Sequence, residues 1–326
     1  MPSLLVTMET EPRLRQVIAE AAGACGTISY LTDLADTERA AALRAADVVL
    51  ARNTAKELRQ GEPALLSGAR LVQFVTAGVD YVPLGDLPPG IAIACNGGGY
   101  AEPMAEHAVA MIFAAAKRVV VEHEKLARGE FDQFRANRML AGSVCGILGF
   151  GGIGIATARA MRALGLKVHA VNRSGRTSEA VDWIGTTNER ETLLRNADVL
   201  VLSVPLTKAT AGMIGARELG LMKPNAILVN LARGEIVDEA ALYAHLLANP
   251  RFTACIDAWW IEPVRHGHFR MDHPFMRLAN VIGSPHNSAS VSGWRDVAIA
   301  RATQNAARAL AGETPLHMVP PEDRML

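Results

Sequence analysis

The 326-residue chain carries 33 Lys plus Arg against 33 Asp plus Glu, is 50% hydrophobic and 20% charged, and so reads as a globular protein of about two domains, each with its own core. The even charge balance gives no electrostatic reason to expect nucleic acid or an anionic membrane as a partner. No apolar run approaches the roughly 18 residues that cross a bilayer, and the start, MPSLLVTMETEPR, lacks the basic and apolar regions of a signal peptide, so the expected location is the cytoplasm.

Along the chain, SLLVT at 3–7 is a short apolar run, followed by a helical pattern from Arg13 to Ala22, then ISYLT, a helical segment to about Ala46, and DVVLA at 47–51. LVQFV at 71–75 and IAIAC at 91–95 are further strands. Short apolar runs alternating with helical patterns are the mark of parallel βαβ units, so the first 95 residues form one α/β domain. A glycine-rich break at Asn96–Gly99 precedes one long predicted helix, Pro103 to about Ala127, where Pro103 suits the first turn. A second series follows: SVCGILGF, KVHAVN, ADVLVLSV, AILVNL, FTACID and NVIGSP, six strand candidates with helical connections, the count of a complete dinucleotide-binding sheet. A last helix is expected over Gly293–Ala311, and the proline-bearing tail after Gly312 is expected to wrap back on the first domain. Cys25, Cys95, Cys145 and Cys255 form no CxxC pair and read as buried small hydrophobes in a reducing compartment, with no zinc site or disulfide framework.

Gly149-Phe150-Gly151-Gly152-Ile153-Gly154 matches G-x-G-x-x-G in the required context, after an apolar strand and before the small-residue helix IATARAMRALG. Gly149 permits the tight turn, Gly151 lets a pyrophosphate approach, and Gly154 allows helix and strand to pack closely. The first helical residues, from Gly152 and Ile153, present N–H donors and a positive dipole end to phosphates. The next strand ends at Asn172-Arg173-Ser174, where an NAD-specific site usually has an acid for the ribose 2′-OH. A neutral Asn beside Arg173, Ser174 and Arg176 can instead hold a 2′-phosphate through charge-assisted hydrogen bonds. NADP is therefore the expected cofactor; the alternative, with Arg173 stacked on the adenine, takes NAD.

Three later segments stand after successive strands, where an open parallel sheet faces its ligand crevice: Leu228–Asp238 (LVNLARGEIVD), Asp257–Pro263 (DAWWIEP) and Gly283–Ser288 (GSPHNS). With the glycine loop and SVPLTKAT at 203–210, in this order, they give a chain that resembles the D-isomer-specific 2-hydroxyacid dehydrogenases, a family with glyoxylate/hydroxypyruvate reductases and phosphoglycerate dehydrogenases.

The resemblance implies an α/β fold of two Rossmann-like domains with doubly wound parallel sheets: a flavodoxin-like substrate domain, 1–98 with 291–326, and a dinucleotide-binding domain, 99–290, closing around the substrate. It implies that Arg233 clamps the substrate carboxylate and polarises the keto oxygen, and that His286 is the acid for reduction and the base for oxidation. Glu262 pairs with His286, fixes its ring and favours its protonated form. Asp257 holds the nicotinamide carboxamide, and Val204, Pro205, Thr210, Leu231 and Ala232 complete the cofactor contacts. In the first domain, Ala77, Gly78 and Val79 resemble the family's carboxylate-binding loop, whose N–H groups form an anion nest. Arg52 and Asn53 are candidates for the substrate tail, and Met104 for a place near the nicotinamide. The partners implied are a small 2-keto or 2-hydroxy acid and a second copy of the chain, through the long helix and the region after it.

Some residues leave alternatives open. The tandem Trp259 and Trp260 either narrow substrate choice or pack the sheet edge. Arg265–His273, with three histidines and an aspartate, could ligate zinc but reads as a bridging loop with no metal. The competing functions are an NAD-linked, phosphoglycerate-type dehydrogenase and a non-catalytic nicotinamide-sensing protein on the same fold; formate oxidation is disfavoured by the histidine-paired glutamate.

Overall fold

The computed structural model describes residues 1–324. In chain order the elements begin β1 (Ser3–Val6), α1 (Pro12–Ala22), β2 (Thr27–Tyr30), α2 (Asp36–Ala45), β3 (Val48–Ala51), α3 (Thr54–Glu57), β4 (Leu71–Phe74) and β5 (Ala92–Ala94). They continue α4 (Ala101–Ala116), α5 (Val119–Ala127), β6 (Val144–Leu148), α6 (Gly152–Ala163), β7 (Lys167–Val171), β8 (Trp183–Gly185), α7 (Arg190–Asn196), β9 (Val199–Leu202) and α8 (Ala216–Leu221). The last are β10 (Ile227–Asn230), α9 (Glu239–Ala248), β11 (Thr253–Ile256), α10 (Pro263–His266), β12 (Val281–Gly283) and α11 (Trp294–Leu310). Two compact units result, 1–100 with 291–326, and 101–290.

The first unit holds a five-stranded sheet of order β2-β1-β3-β4-β5, every pair parallel, which is the flavodoxin-like order. Strands such as VVLA at 48–51 and LVQF at 71–74 are buried throughout because helices cover both faces. Leu14 and Ile18 of α1 meet Ile299, Ala302 and Ala306 of α11 over one face, and Leu43, Leu66 and Phe74 fill the other. Each of the leucines and isoleucines named, and Phe74, contributes about 1.5–3 kcal/mol through burial. The tail closes the β5 edge: Val319 N donates to Ile93 O at 2.8 Å, and Cys95 N to His317 O at 3.1 Å. A covered edge cannot pair with another chain.

The second unit holds seven parallel strands in the order β12-β11-β10-β9-β6-β7-β8, a dinucleotide-binding order with one strand added. The strand order reverses between β6 and β9, so the loops after those strands open at the switch point. α4 and α6 pack together on one side, while Leu193, Leu219, Leu242, Leu246 and Phe275 fill the core on the other. Two expectations need correction. The six predicted strands are seven, since Trp183-Ile184-Gly185 pairs with β7; two half-buried residues and a buried glycine carry too little pattern to be seen. The single predicted helix from Pro103 to Ala127 is two, broken where Arg118 turns left-handed (φ 56°). No glycine or proline marks that break. Three β-branched valines follow it, and their low helix propensity weakens the case for an unbroken helix.

All four cysteines are free; Cys145 and Cys255 are fully buried, and burial pushes each thiol up to about 12, while Cys25 and Cys95 are only half-buried. Among the described residues, no helix is long and apolar enough to cross a membrane.

Inside the first unit, Asn305 of α11 donates to Gln73 Oε1 at 2.6 Å and to Leu316 O at 2.9 Å, and accepts from Leu316 N at 2.7 Å. Gln73 is fully buried. Asn305→Ala should therefore destabilise the unit by about 1–3 kcal/mol, the cost of a buried polar group left unpaired. Limited proteolysis should cut the tail after Gly312 faster; a variant cut no faster than the parent would show that the network does not hold the tail.

Candidate active site

The glycine loop follows β6 and bends where only glycine fits. Gly149 has φ 98°, and a Cβ there would lie 2.7 Å from Ser203 C and Val204 N; a Cβ on Gly154 would lie 2.3 Å from Gly149 O. Ser203 Oγ donates to Gly149 O at 2.6 Å and ties the loops after β6 and β9 together. A Cβ on Gly151 would meet nothing within 4 Å, so this face is open. Gly151 begins α6 without a side-chain cap, and Gly152 and Ile153 follow as its first helical residues. That leaves the first-turn N–H groups directed at the open face, the arrangement that receives a phosphate.

After β7, Asn172 organises its own loop. Its Oδ1 accepts from Gly175 N at 2.7 Å and from Ser174 Oγ at 3.2 Å, and its Nδ2 donates to Arg176 O at 2.8 Å. Arg173, Ser174 and Arg176 are exposed around it. After β9, Val204 and Pro205 lead into a turn that Thr210 closes: its hydroxyl donates to Pro205 O at 2.6 Å and accepts from Thr207 N at 2.8 Å. The Thr210 hydroxyl proton is thus used inside the turn.

After β10, Asn230 Oδ1 accepts from Ala232 N at 3.0 Å and its Nδ2 donates to Arg233 O at 2.8 Å, fixing the Leu231-Ala232-Arg233 bend. Leu231 and Ala232 are buried, and Arg233 is half-buried. A Cβ on Gly234 would lie 2.4 Å from Trp259 C and Trp260 N, so the loops after β10 and β11 are in close contact.

That second loop carries Glu262, which is almost wholly buried. Its Oε1 accepts from Trp259 N at 2.7 Å and its Oε2 lies 2.7 Å from His286 Nδ1. Burial pushes the carboxyl up, but the hydrogen bond and charge of His286, the Trp259 N–H and the charge of Arg233 together hold it below its ordinary value. Arg233 and His286 therefore both act electrostatically on Glu262. With a carboxylate at Nδ1, the Nε2 of His286 is the nitrogen left for proton exchange with a ligand.

Asp257 is fully buried; its Oδ1 accepts from Ser284 Oγ at 2.6 Å and from Asn287 N at 3.2 Å, while its Oδ2 is buried with no hydrogen-bond partner. A buried acceptor without a donor calls for one from a ligand. The glycine cradle, the uncapped helix start and this oxygen suit the pyrophosphate and carboxamide of a nicotinamide dinucleotide.

The two tryptophans have structural partners. Trp260 Nε1 donates to Val237 O at 2.7 Å and its ring stacks on Phe275; Trp259 is buried and its Nε1 donates to Ser284 O at 2.8 Å. In the histidine-rich stretch, His266 Nδ1 accepts from Glu262 N at 3.1 Å and His273 stacks on Tyr243. Among the described residues no group of three His, Cys, Asp or Glu side chains is placed to hold a metal. Met104 is buried in α4.

In the first unit, Arg52 is exposed at the end of β3, and Asn53 caps α3 by accepting from Ala55 N at 3.1 Å. Ala77, Gly78 and Val79 follow β4 in a half-buried loop, anchored behind by Asn96 N donating to Thr76 O at 2.8 Å and Tyr100 OH to Val75 O at 3.1 Å. Among the described residues, no protein acceptor takes the N–H groups of Gly78 or Val79.

Sequence reading did not single out Ser284, His107 or the structural use of Asn230. Ser284 stands two residues before His286, and that adjacency was the available signal. His107, in α4, has none in the sequence, because its partner is 177 residues away.

The family described as D-isomer specific 2-hydroxyacid dehydrogenase, NAD binding domain, matches residues 109–288. A glyoxylate reductase of Thermococcus litoralis is 31% identical over 274 residues, 81% of this chain and 80% of that protein. A D-3-phosphoglycerate dehydrogenase of Methanocaldococcus jannaschii is 29% identical over 297 residues, 88% of this chain but 54% of its own length, so the chain spans about half of that relative. A solved structure from Pyrobaculum aerophilum, provisionally named a formate dehydrogenase, superposes with a TM-score of 0.79 at 26% identity, covering 99% of each chain. A match over more than half of the residues, with a relative of similar length above 30% identity, establishes that the chain belongs to the D-isomer specific 2-hydroxyacid dehydrogenase family.

Proposed function

We propose that the chain interconverts a small 2-keto acid and its D-2-hydroxy acid using a nicotinamide cofactor, with glyoxylate and hydroxypyruvate as the first substrates to test. The observation that supports this most is the Glu262–His286 pair at 2.7 Å, under the charge of Arg233. When bound, the reduced nicotinamide supplies hydride to the substrate carbon. Asp257 Oδ2, buried with no hydrogen-bond partner, would accept from its carboxamide N–H and so help hold the nicotinamide. Arg233 offers a planar fork of donors to the carboxylate and to the keto oxygen, and the keto oxygen becomes more negative as hydride adds to its carbon. His286, oriented by Glu262, delivers a proton from Nε2 to that oxygen and takes it back in the reverse direction. The N–H groups of Gly78 and Val79 would bind the substrate carboxylate. Arg52 would reach its tail.

NADP is the preferred cofactor in this reading, and NAD the alternative. No carboxylate stands at Asn172, and its side-chain oxygen is turned to Gly175 N and Ser174, leaving Arg173, Ser174 and Arg176 on the outside. The four free thiols accord with the cytoplasm. A homodimer is proposed through the second unit, where Phe131 and Phe134 are 77% and 87% exposed and Met139 is 75% exposed, an unusual apolar display for a face left in water.

Three measurements test these readings. Turnover of glyoxylate and hydroxypyruvate, followed by loss of nicotinamide absorbance, should fall by about 10²–10⁴ in kcat for His286→Gln, with cofactor Kd unchanged; full activity in that variant removes the acid–base role. Kd for NADPH should lie below Kd for NADH in direct titrations, and equal or reversed values would assign NAD. Light scattering should give a dimer for the parent and a monomer for Phe131→Glu/Phe134→Glu, whereas a dimer in both moves the interface elsewhere.

A further inference from the structure

The loop that carries His286 is joined to Asp257 through Ser284 and Asn287, and of the two it is the Ser284 side chain that also reaches α4. Ser284 extends β12 by donating its N–H to Ile256 O at 2.9 Å, and its carbonyl accepts from Trp259 Nε1 at 2.8 Å. Its hydroxyl lies 2.6 Å from Asp257 Oδ1 and 2.9 Å from His107 Nε2. A hydroxyl has one proton to give. Given to Asp257, it leaves Ser284 Oγ as acceptor toward α4, so His107 must present an N–H at Nε2. His107 Nε2 is itself 3.8 Å from Asp257 Oδ1, beyond a hydrogen bond, and reaches the carboxylate only through the hydroxyl.

The donors on Asp257 are therefore all on one oxygen. Oδ1 receives Ser284 Oγ and Asn287 N, while Oδ2, equally buried, receives none. A carboxylate free to turn about its last torsion would share donors between its oxygens. Fixing two on Oδ1 stops that turn and keeps Oδ2 as the open acceptor.

We propose that Ser284, backed by His107, is a positioning residue that aims Asp257 Oδ2 at a primary-amide N–H of the cofactor's nicotinamide, so that the chain selects the carboxamide over isosteric groups with no N–H. This rests on the cofactor reading above and concerns how the carboxylate is aimed. The same residue, by its main chain, holds the segment leading to His286, so the nicotinamide-facing carboxylate and the acid–base histidine share one anchor.

The test is binding, with turnover as a second readout. The parent, Ser284→Ala, Ser284→Thr and His107→Leu are titrated with the preferred reduced dinucleotide, with its 3-acetylpyridine analogue, in which a methyl ketone replaces the amide, and with the matching ADP-ribose fragment, which has no nicotinamide. Ser284→Ala should weaken the amide cofactor about tenfold, the scale of a hydrogen bond to a charged group, and leave the fragment's Kd unchanged. The parent's preference for amide over acetylpyridine should shrink with it. Ser284→Thr, which keeps the hydroxyl, should restore that preference, and His107→Leu should move it in the same direction as the alanine variant. An unchanged preference in both Ser284→Ala and His107→Leu overturns the proposal, as does a loss of fragment binding equal to the loss of cofactor binding. A parent that binds neither dinucleotide nor fragment overturns the cofactor reading itself, and the positioning role with it.

Discussion

A carboxylate is stable inside a protein only when donors replace the water it has lost. The second unit buries two within one cluster, Asp257 and Glu262, five residues apart on the same loop. Their donors come from Trp259 N, Ser284 Oγ, Asn287 N and His286, so the loops after β11 and β12 must keep one fixed arrangement for either acid to remain buried. The loop after β10 is held against them because Gly234 leaves no room for a side chain beside Trp259 and Trp260. Arg233 is carried to the same place and adds its charge to Glu262. The electrostatic needs of two buried acids thus organise three loops that are far apart in sequence.

The parallel topology makes this economical. Every strand of the seven-stranded sheet runs the same way, so every strand-to-helix loop emerges at the same end. The glycine loop after β6, the loop tied by Asn172 after β7, the acid-bearing loop after β11 and the His286 loop after β12 need no special folding to converge. Short local sequences suffice: glycine where the chain must turn or approach closely, Asn230 to tie its own bend, and Asn172 to tie another.

What the sequence revealed and what it hid follow from the range of each signal. Apolar runs and glycine spacing act over a few residues, so the glycine loop and the strand series containing Arg233, Glu262 and His286 were legible before any coordinates. The seventh strand was not, because WIG at 183–185 is defined by its partner β7 and not by its own pattern. The break at Arg118 was hidden for a related reason: no residue there forbids a helix, and the left-handed turn is set by surroundings the pattern does not record. Thr210 could be named from its motif, while the commitment of its hydroxyl to Pro205 O could not. The tryptophans were visible but ambiguous until their indole partners were placed. His107 is the clearest case of a long-range residue, since its meaning depends on Ser284, 177 positions later.

His286 itself shows how the cluster holds an unfavourable backbone conformation. Its φ of 50° lies in the left-handed region, which costs a non-glycine residue about 1–2 kcal/mol. The residue before it is proline, which is fixed near φ −65° and adds stiffness on the N-terminal side. The strained backbone is retained because the segment is held on both sides: Ser284 O by the Trp259 indole, Asn287 N by Asp257, and the imidazole between them by Glu262. An aromatic ring with no N–H could fill the space of Trp259, but it would leave the Ser284 carbonyl without its donor and loosen the first of these anchors. The indole therefore does two things at one position, packing against Phe269 and Phe275 while its N–H fixes the main chain from which the histidine projects. The strain at His286 is sustained by the same buried hydrogen bonds that keep Asp257 and Glu262 in place, so the geometry of His286 and the burial of the two acids depend on one network.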